Sequence, residues 1–269
     1  MIRTQVHRIG ERPANISICV PATADLVSRV EDFIRYIKEV DAPGVEVVVA
    51  YIENEPWHEA FAKNALARAA TTNRIILTAL DDHPSASIIE RTRIELDANP
   101  WSVVTAMRLD GLPTHRAFPN PFALGDWIAM RKDRYLALGG YNESLRAACW
   151  LENEFIGRAI LNGYDCVMLD ERIFHGWHPV RTEDAKLDVD SDWNYKTVLA
   201  AGGALALLYY PTTGTLRFAD KDVSISVRPQ KNSVVNVTHH LPYSYDYWEC
   251  IHKDKTTKLQ QWVSENDTV

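Results

Sequence analysis

The stretch "ILTALDDHPSAS", Ile76–Ser87, decides the fold. An apolar, β-branched run stops at Asp81, Asp82 and His83, and a proline with small polar residues follows. A short apolar run bounded by turn residues reads as a buried strand. Charge delivered at the end of such a strand needs a reason, and the neighbouring sequence supplies one.

Upstream, "NISICVPA" (Asn15–Ala22) and "GVEVVVAYI" (Gly44–Ile52) are two more buried-strand runs. Between them Val27, Val30, Ile34 and Ile37 recur at helical spacing, with Asp25 in the N-cap region. "EAFAKNALARAATT" is a second amphipathic helix. Downstream, "SASIIERTRIELDANP" is a third helix, begun by a serine and stopped before Pro100, and "WSVVTAMRL" is a fourth strand. Strand and helix in alternation, with short connections, predict a parallel sheet covered by helices on both faces. Open sheets of this kind bind ligands at the carboxyl ends of their strands, and Asp81, Asp82 and His83 sit at such an end.

After Pro121 the alternation loosens. "GDWIAMRKDRYLALGGYNESL" predicts a strand, a short helix and a Gly-Gly turn. A helix from about Trp150 to Leu161 is stopped by Gly163, and the next strand ends in "HGWH", His175–His178. From about Thr182 the composition shifts to an acidic loop, a helix near Asn194–Ala201 and a Val-, Thr- and Tyr-rich tail with a hairpin around "FADKDV". The expected division is residues 1–182 as one α/β domain and 183–269 as a helix and β-rich extension.

Composition bounds the function. The chain has 269 residues and a formal net charge of −7, with no Lys/Arg-rich run, which argues against a general nucleic-acid coat. Neither GxGxxG nor GxxxxGK[ST] occurs, which argues against a dinucleotide or P-loop site and leaves a metal ion as the partner for any bound phosphate. The N-terminal stretch lacks an apolar core of signal-peptide type, and "VLAAGGALALLYY" is too short to span a bilayer. Cys19, Cys149, Cys166 and Cys250 lie far apart and read as buried thiols of a reducing, cytoplasmic compartment.

Three constellations carry chemistry. Asp81 and His83, at i and i+2 around a turn, suit a borderline divalent cation such as Mn²⁺ better than Ca²⁺, although Asp before a helix is also an ordinary cap. His175 and His178 flank Trp177 at a strand end. Glu152 and Glu154 fall in the first turn of a predicted helix, where the dipole favours carboxylates and where a general base could equally stand.

The order of these pieces resembles the GT-A glycosyltransferases, and is similar to glycosyltransferase family 2 and to the family 27 polypeptide N-acetylgalactosaminyltransferases. The resemblance runs from about Ile16 to His178, through "LDDH", "FAKNALARAA", "GDWIAMRKDRYLALGGYNE", "WLENEFIGRAILNGYD" and "RIFHGWH". It implies a Rossmann-like, mostly parallel sheet with a smaller β-rich C-terminal segment. It also implies a metal-dependent transfer of a sugar from a nucleotide-sugar donor, UDP-linked, to a hydroxyl. By resemblance the metal, Mn²⁺ with Mg²⁺ as the alternative, takes Asp81, His83 and His175, with His178 in place of His175 as the other choice. Donor contacts fall to Pro21, Thr23, Glu53, Lys63, Asn64, Asp81 and Asp82. Sugar or acceptor contacts fall to Asp126, Trp127, Trp150 and Trp177. Glu152, Asn153 and Glu154 are the catalytic candidates.

Two positions depart from those families. No single acidic residue stands out after the second strand in "VVVAYIENE", and Asn153 replaces the Asp that serves as base in inverting members. A domain that binds nucleotide or glycan without turnover, and a metal-dependent phosphoesterase, are therefore the rival functions. The acceptor is left open among a glycan, a lipid-linked glycan, a protein, a small molecule and a modified nucleobase.

Overall fold

The computed structural model describes residues 2–53, 58–110, 127–143, 145, 151, 152, 155, 156, 159, 162, 164–176, 213–218 and 221–229. The strands are β1 (Ile2–Arg8), β2 (Ile16–Thr23), β3 (Val45–Ile52), β4 (Arg74–Thr78), β5 (Asp82–His83), β6 (Ser102–Asp110), β7 (Trp127–Arg131), β8 (Asp165–His175), β9 (Thr213–Phe218) and β10 (Lys221–Pro229). The α-helices are α1 (Val27–Val40), α2 (Glu59–Ala69), α3 (Ala86–Ala98) and α4 (Lys132–Ala137).

One mixed sheet runs in the order β1-β3-β2-β4-β7-β6-β8-β10-β9, with β5 on β8. β3, β2 and β4 are parallel, so Thr23, Ile52 and Thr78 bring their carboxyl ends to one edge of the sheet. Alternation along each strand then divides the core. In β3, Val48, Ala50 and Ile52 pack towards Ala60, Ala62, Leu66 and Ala67 of α2. Val45, Val47 and Val49 of β3 pack towards the layer that holds Val30, Phe33 and Ile37 of α1 and Ile88, Ile89 and Leu96 of α3. The expected α/β architecture with helices on both faces is present.

Three features differ from the sequence expectation. β1 was not expected: its alternation of exposed and half-buried residues marks an edge strand, and it pairs antiparallel with β3 from Ile2↔Ile52 to Arg8↔Glu46. The fourth expected strand, β6, does not lie beside β4, because β7 inserts between them and is antiparallel to both. The hairpin expected around "FADKDV" is the β9–β10 pair, and β10 adds to the main sheet by parallel pairing with Cys166–Met168 of β8. The expected helix near Asn194–Ala201 lies outside the described residues.

α3 starts where the sequence placed it. Ser85 accepts a hydrogen bond from the Ile88 amide at 3.2 Å, a side-chain cap on the turn that follows Asp81-Asp82-His83.

Candidate active site

The end of β4 turns sharply. The Asp82 carboxylate accepts from Thr78 Oγ1 at 2.7 Å and from the Ala79 amide at 3.0 Å, so one of its oxygens closes its own turn. That turn leads into β5, which pairs antiparallel with the end of β8: Asp82 opposes His175 and His83 opposes Phe174. The Gly176 amide donates to the Asp81 carbonyl at 2.7 Å and fixes the junction. Residues some 90 positions apart are thereby brought together.

His175 Nε2 lies 3.1 Å from Asp81 Oδ2. One ligand atom from each of Asp81, Asp82 and His175 falls within 4.8 Å of the others. Asp82 and His175 are buried and Asp81 is half-buried, with Arg29 Nη2 at 3.9 Å from Asp81 Oδ2. Two carboxylates and an imidazole in this space form a donor set suited to Mn²⁺ or a related cation. His83, expected as a ligand, is not in that cluster. Its ring meets Tyr36 edge-on at 4.9 Å between centroids, and its Nδ1 is buried without a hydrogen-bond partner among the described residues. The same edge of the ring overhangs Gly176, where an added Cβ would come 2.9 Å from His83 Cε1 and 3.5 Å from Nδ1. Asp81 and His175 are common to both candidate ligand sets, with Asp82 or His83 in the third position.

The donor-site candidates divide. Pro21 is buried inside β2, opposite Ala50. Thr23 ends β2, with its Oγ1 buried and without a partner among the described residues. Glu53, just past β3, pairs with Arg3 of β1 at 3.1 Å. Asn64 requires a correction. It is 3% exposed and its amide is committed to structure: Nδ2 donates to the Tyr141 carbonyl (2.9 Å) and to Glu143 Oε1 (2.8 Å), and Oδ1 accepts from the Tyr135 hydroxyl (2.6 Å) and the Tyr141 amide (2.8 Å). No atom of that amide is left for a donor. Gly140 makes this close approach feasible, with φ +69° and a hypothetical Cβ that would collide with Asn64 Oδ1.

Trp127 requires the second correction. It is wholly buried, and its indole N–H donates to Thr92 Oγ1 at 3.0 Å, so it is a core residue between β7 and α3 with no ring face open to a sugar. Asp126, Trp150, Asn153, Glu154, Trp177 and His178 lie outside the described residues.

Lys63 is also not a free phosphate ligand. Its side chain is buried, and Nζ lies 2.7 Å from both Glu59 Oε1 and Glu152 Oε1. Burial pushes the ammonium down, but Glu152 and Glu59 outweigh burial and hold it well above its ordinary value. Burial raises the Glu152 carboxyl above the usual carboxylate range, with Lys63 pulling the other way. The Lys63–Glu152 contact joins residues 89 positions apart, and no local pattern announces it.

In fold, this mixed α/β sheet between two helical layers is like that of the GT-A glycosyltransferases. Two solved structures carry the comparison. A mannosyltransferase from Pyrobaculum calidifontis, solved with GDP-Man and Mn²⁺, is 12% identical, with a TM-score of 0.53 over 97% of this chain and 83% of that one. Residues 1–349 of S. aureus TarS, solved with UDP-GlcNAc, are 10% identical, with a TM-score of 0.53 over 88% of this chain and 73% of that one. At such identities the likeness is one of fold. No family model matches the chain, and no curated protein matches it in sequence. Among the described residues no helix is long and apolar enough to cross a membrane.

Proposed function

We propose that the protein is a metal-dependent glycosyltransferase that moves a sugar from a nucleotide-sugar donor, UDP-linked, to a hydroxyl acceptor. The observation that carries this function is the cluster of Asp81, Asp82 and His175 at the carboxyl edge of a GT-A sheet. Two buried polar atoms without partners among the described residues, Thr23 Oγ1 and His83 Nδ1, belong to the same region and support a ligand there. The mannosyltransferase of similar fold holds GDP-Man and Mn²⁺, and TarS holds UDP-GlcNAc, which supports the same class of donor here.

Asp81 and His175, with Asp82 or His83, would hold the divalent cation. When bound, such a cation offsets the negative charge that grows on the departing diphosphate. Arg29, beside Asp81, adds positive charge on the same edge. Thr23 supplies a hydroxyl donor at the end of β2. The acceptor hydroxyl must lose a proton, and Glu152 takes it: a carboxyl raised by burial is a better base near neutrality than an exposed one. Glu154, with Asn153 beside it, is the alternative on the same segment, and Trp150, Trp177 and Asp126 are proposed to contact sugar or acceptor.

The test is release of nucleoside diphosphate from a panel of UDP- and GDP-sugars, with Mn²⁺ and with chelator. Metal-dependent release, lost in Asp81→Asn, is the expected result. Release indifferent to chelation, or none from any donor, would overturn the assignment.

A further inference from the structure

The cluster around Lys63 has an arrangement that stability alone does not require. An ammonium with 2% of its residue exposed must be paired to persist as a charge. Glu59 provides that pairing within α2, one turn away at i−4, with a 2.7 Å contact. A second carboxylate at equal distance is then surplus. It brings the trio of Glu59, Lys63 and Glu152 to a net charge of −1 and sets two anions around one cation in a buried space. The Tyr141 ring closes the site on another side, with Lys63 Nζ 5.3 Å from its centroid, and its hydroxyl is buried without a partner among the described residues. Asn64, the next residue of α2, holds the Tyr141 backbone by both its N–H and its C=O. Two consecutive residues of α2 therefore fix the Gly-Gly-Tyr turn and the segment that carries Glu152.

We propose that Lys63 is the positioning residue for Glu152, the buried cation that sets where this carboxylate lies and keeps it an acceptor of protons. The inference rests on the assignment of Glu152 as the base, and deepens it. Among the described residues, the charged and titratable groups that face Glu152 are Lys63 and Glu59 from α2 and Tyr141 from the turn. With the ammonium in place, its positive charge offsets the negative charge of the two carboxylates it touches. Without it, two buried carboxyls share the space, repulsion and burial act together, and one takes up a proton. The fraction of Glu152 able to accept a proton then falls.

The sign of each perturbation follows. Lys63→Met should move Glu152 titration to higher pH. Glu59→Gln, which leaves the ammonium to Glu152 alone, should move it to lower pH. Lys63→Arg should restore most of the native behaviour. A purely structural role for Lys63 would lower stability in Lys63→Met but would leave the pH profile of kcat in place.

The experiment is a ¹³C NMR titration of the full chain labelled at the glutamate carboxyl carbon, with the Glu152 resonance identified by its loss in Glu152→Gln. Opposite shifts in Lys63→Met and Glu59→Gln are expected. No change in either, or shifts of the same sign, would overturn the proposal. Should Lys63→Met fail to fold, Glu59→Gln and Lys63→Arg decide the matter alone, the first by a downward shift and the second by a native profile. Steady-state kinetics then tie the pair to turnover. In Lys63→Met, kcat at neutral pH should fall at least about tenfold, a part of the 10²–10⁴-fold that a general base supplies. The acid limb of kcat should move up in pH while the donor KM holds. A limb that stays in place while the NMR titration moves would sever Glu152 from catalysis. Absence of turnover in the wild type with every donor would remove the glycosyltransferase function itself, and the NMR result would still accept or reject the Lys63–Glu152 coupling.

Discussion

Asn64→Ala separates a structural amide from a donor-binding one. The native side chain makes four hydrogen bonds within the protein, two through Nδ2 and two through Oδ1. After truncation the Tyr141 amide keeps one acceptor, the Tyr135 hydroxyl at 3.1 Å. The Tyr141 carbonyl and the Tyr135 hydroxyl proton lose their partners in a region where Tyr135 and Tyr141 are 0% and 1% exposed. An orphaned buried polar group costs about 1–3 kcal/mol, so the pair costs about 2–6 kcal/mol. A domain's whole stability is about 5–15 kcal/mol, so the loss is a large share of it. Urea denaturation followed by tryptophan fluorescence reads this directly. With a slope of about 2–3 kcal/mol/M, the midpoint should fall by about 0.7–3 M at constant slope. Asn64→Asp keeps the volume and the Oδ1 acceptor but sets a carboxylate against the Tyr141 carbonyl and Glu143, so it should also destabilise at neutral pH. A midpoint within about 0.3 M of wild type for Asn64→Ala, together with a weakened donor KM, would refute the structural assignment and return Asn64 to the donor site.

Two further outcomes follow. Gly176→Ala places a methyl 2.9 Å from His83 Cε1; it should cost about 1–3 kcal/mol by overpacking and weaken Mn²⁺ binding by displacing His83, as calorimetric titration would show, whereas unchanged affinity would assign the third ligand position to Asp82. Cys19 and Cys166 are fully buried, which pushes the Cys166 thiol up to about 12 and the Cys19 thiol higher still; alkylation at pH 8 mapped by mass spectrometry should leave both unmodified in the native protein and modify both in denaturant.

Much of the fold was legible because the strands that matter are buried on both faces. β2, β3 and β4 read as continuous apolar runs, and the helices between them kept their period. β1 was not legible, since "IRTQVHR" alternates polar residues along an exposed edge and gains its identity only from pairing with β3. The reversal of β7 is a tertiary fact, fixed by its neighbours β4 and β6 rather than by "WIAMR". The site was legible in position and less so in roles. A carboxylate turn at the end of β4 and a histidine at the end of β8 were both read, and β5 brings them together. Counting i and i+2 around the turn selected His83, while the register opposite β8 sets Asp82 beside His175. Asn64 and Trp127 carry the residue types of a binding site but are held in the core, and burial is not written in their local sequence. The Lys63–Glu152 contact joins segments that no periodicity links.

Nucleotide binding is proposed to depend on a cation held by Asp81 and His175. Thermal unfolding of the wild type, Asp81→Asn and His175→Ala, each with UDP or GDP in the presence and absence of Mn²⁺, tests it most directly. At a nucleotide concentration about 100 times its Kd, binding stabilises the native state by about 2.7 kcal/mol and raises the Tm accordingly. That rise is expected for the wild type with nucleotide and Mn²⁺ together, and for neither variant. An equal rise without Mn²⁺, an undiminished rise in both variants, or no rise with either nucleotide would contradict it.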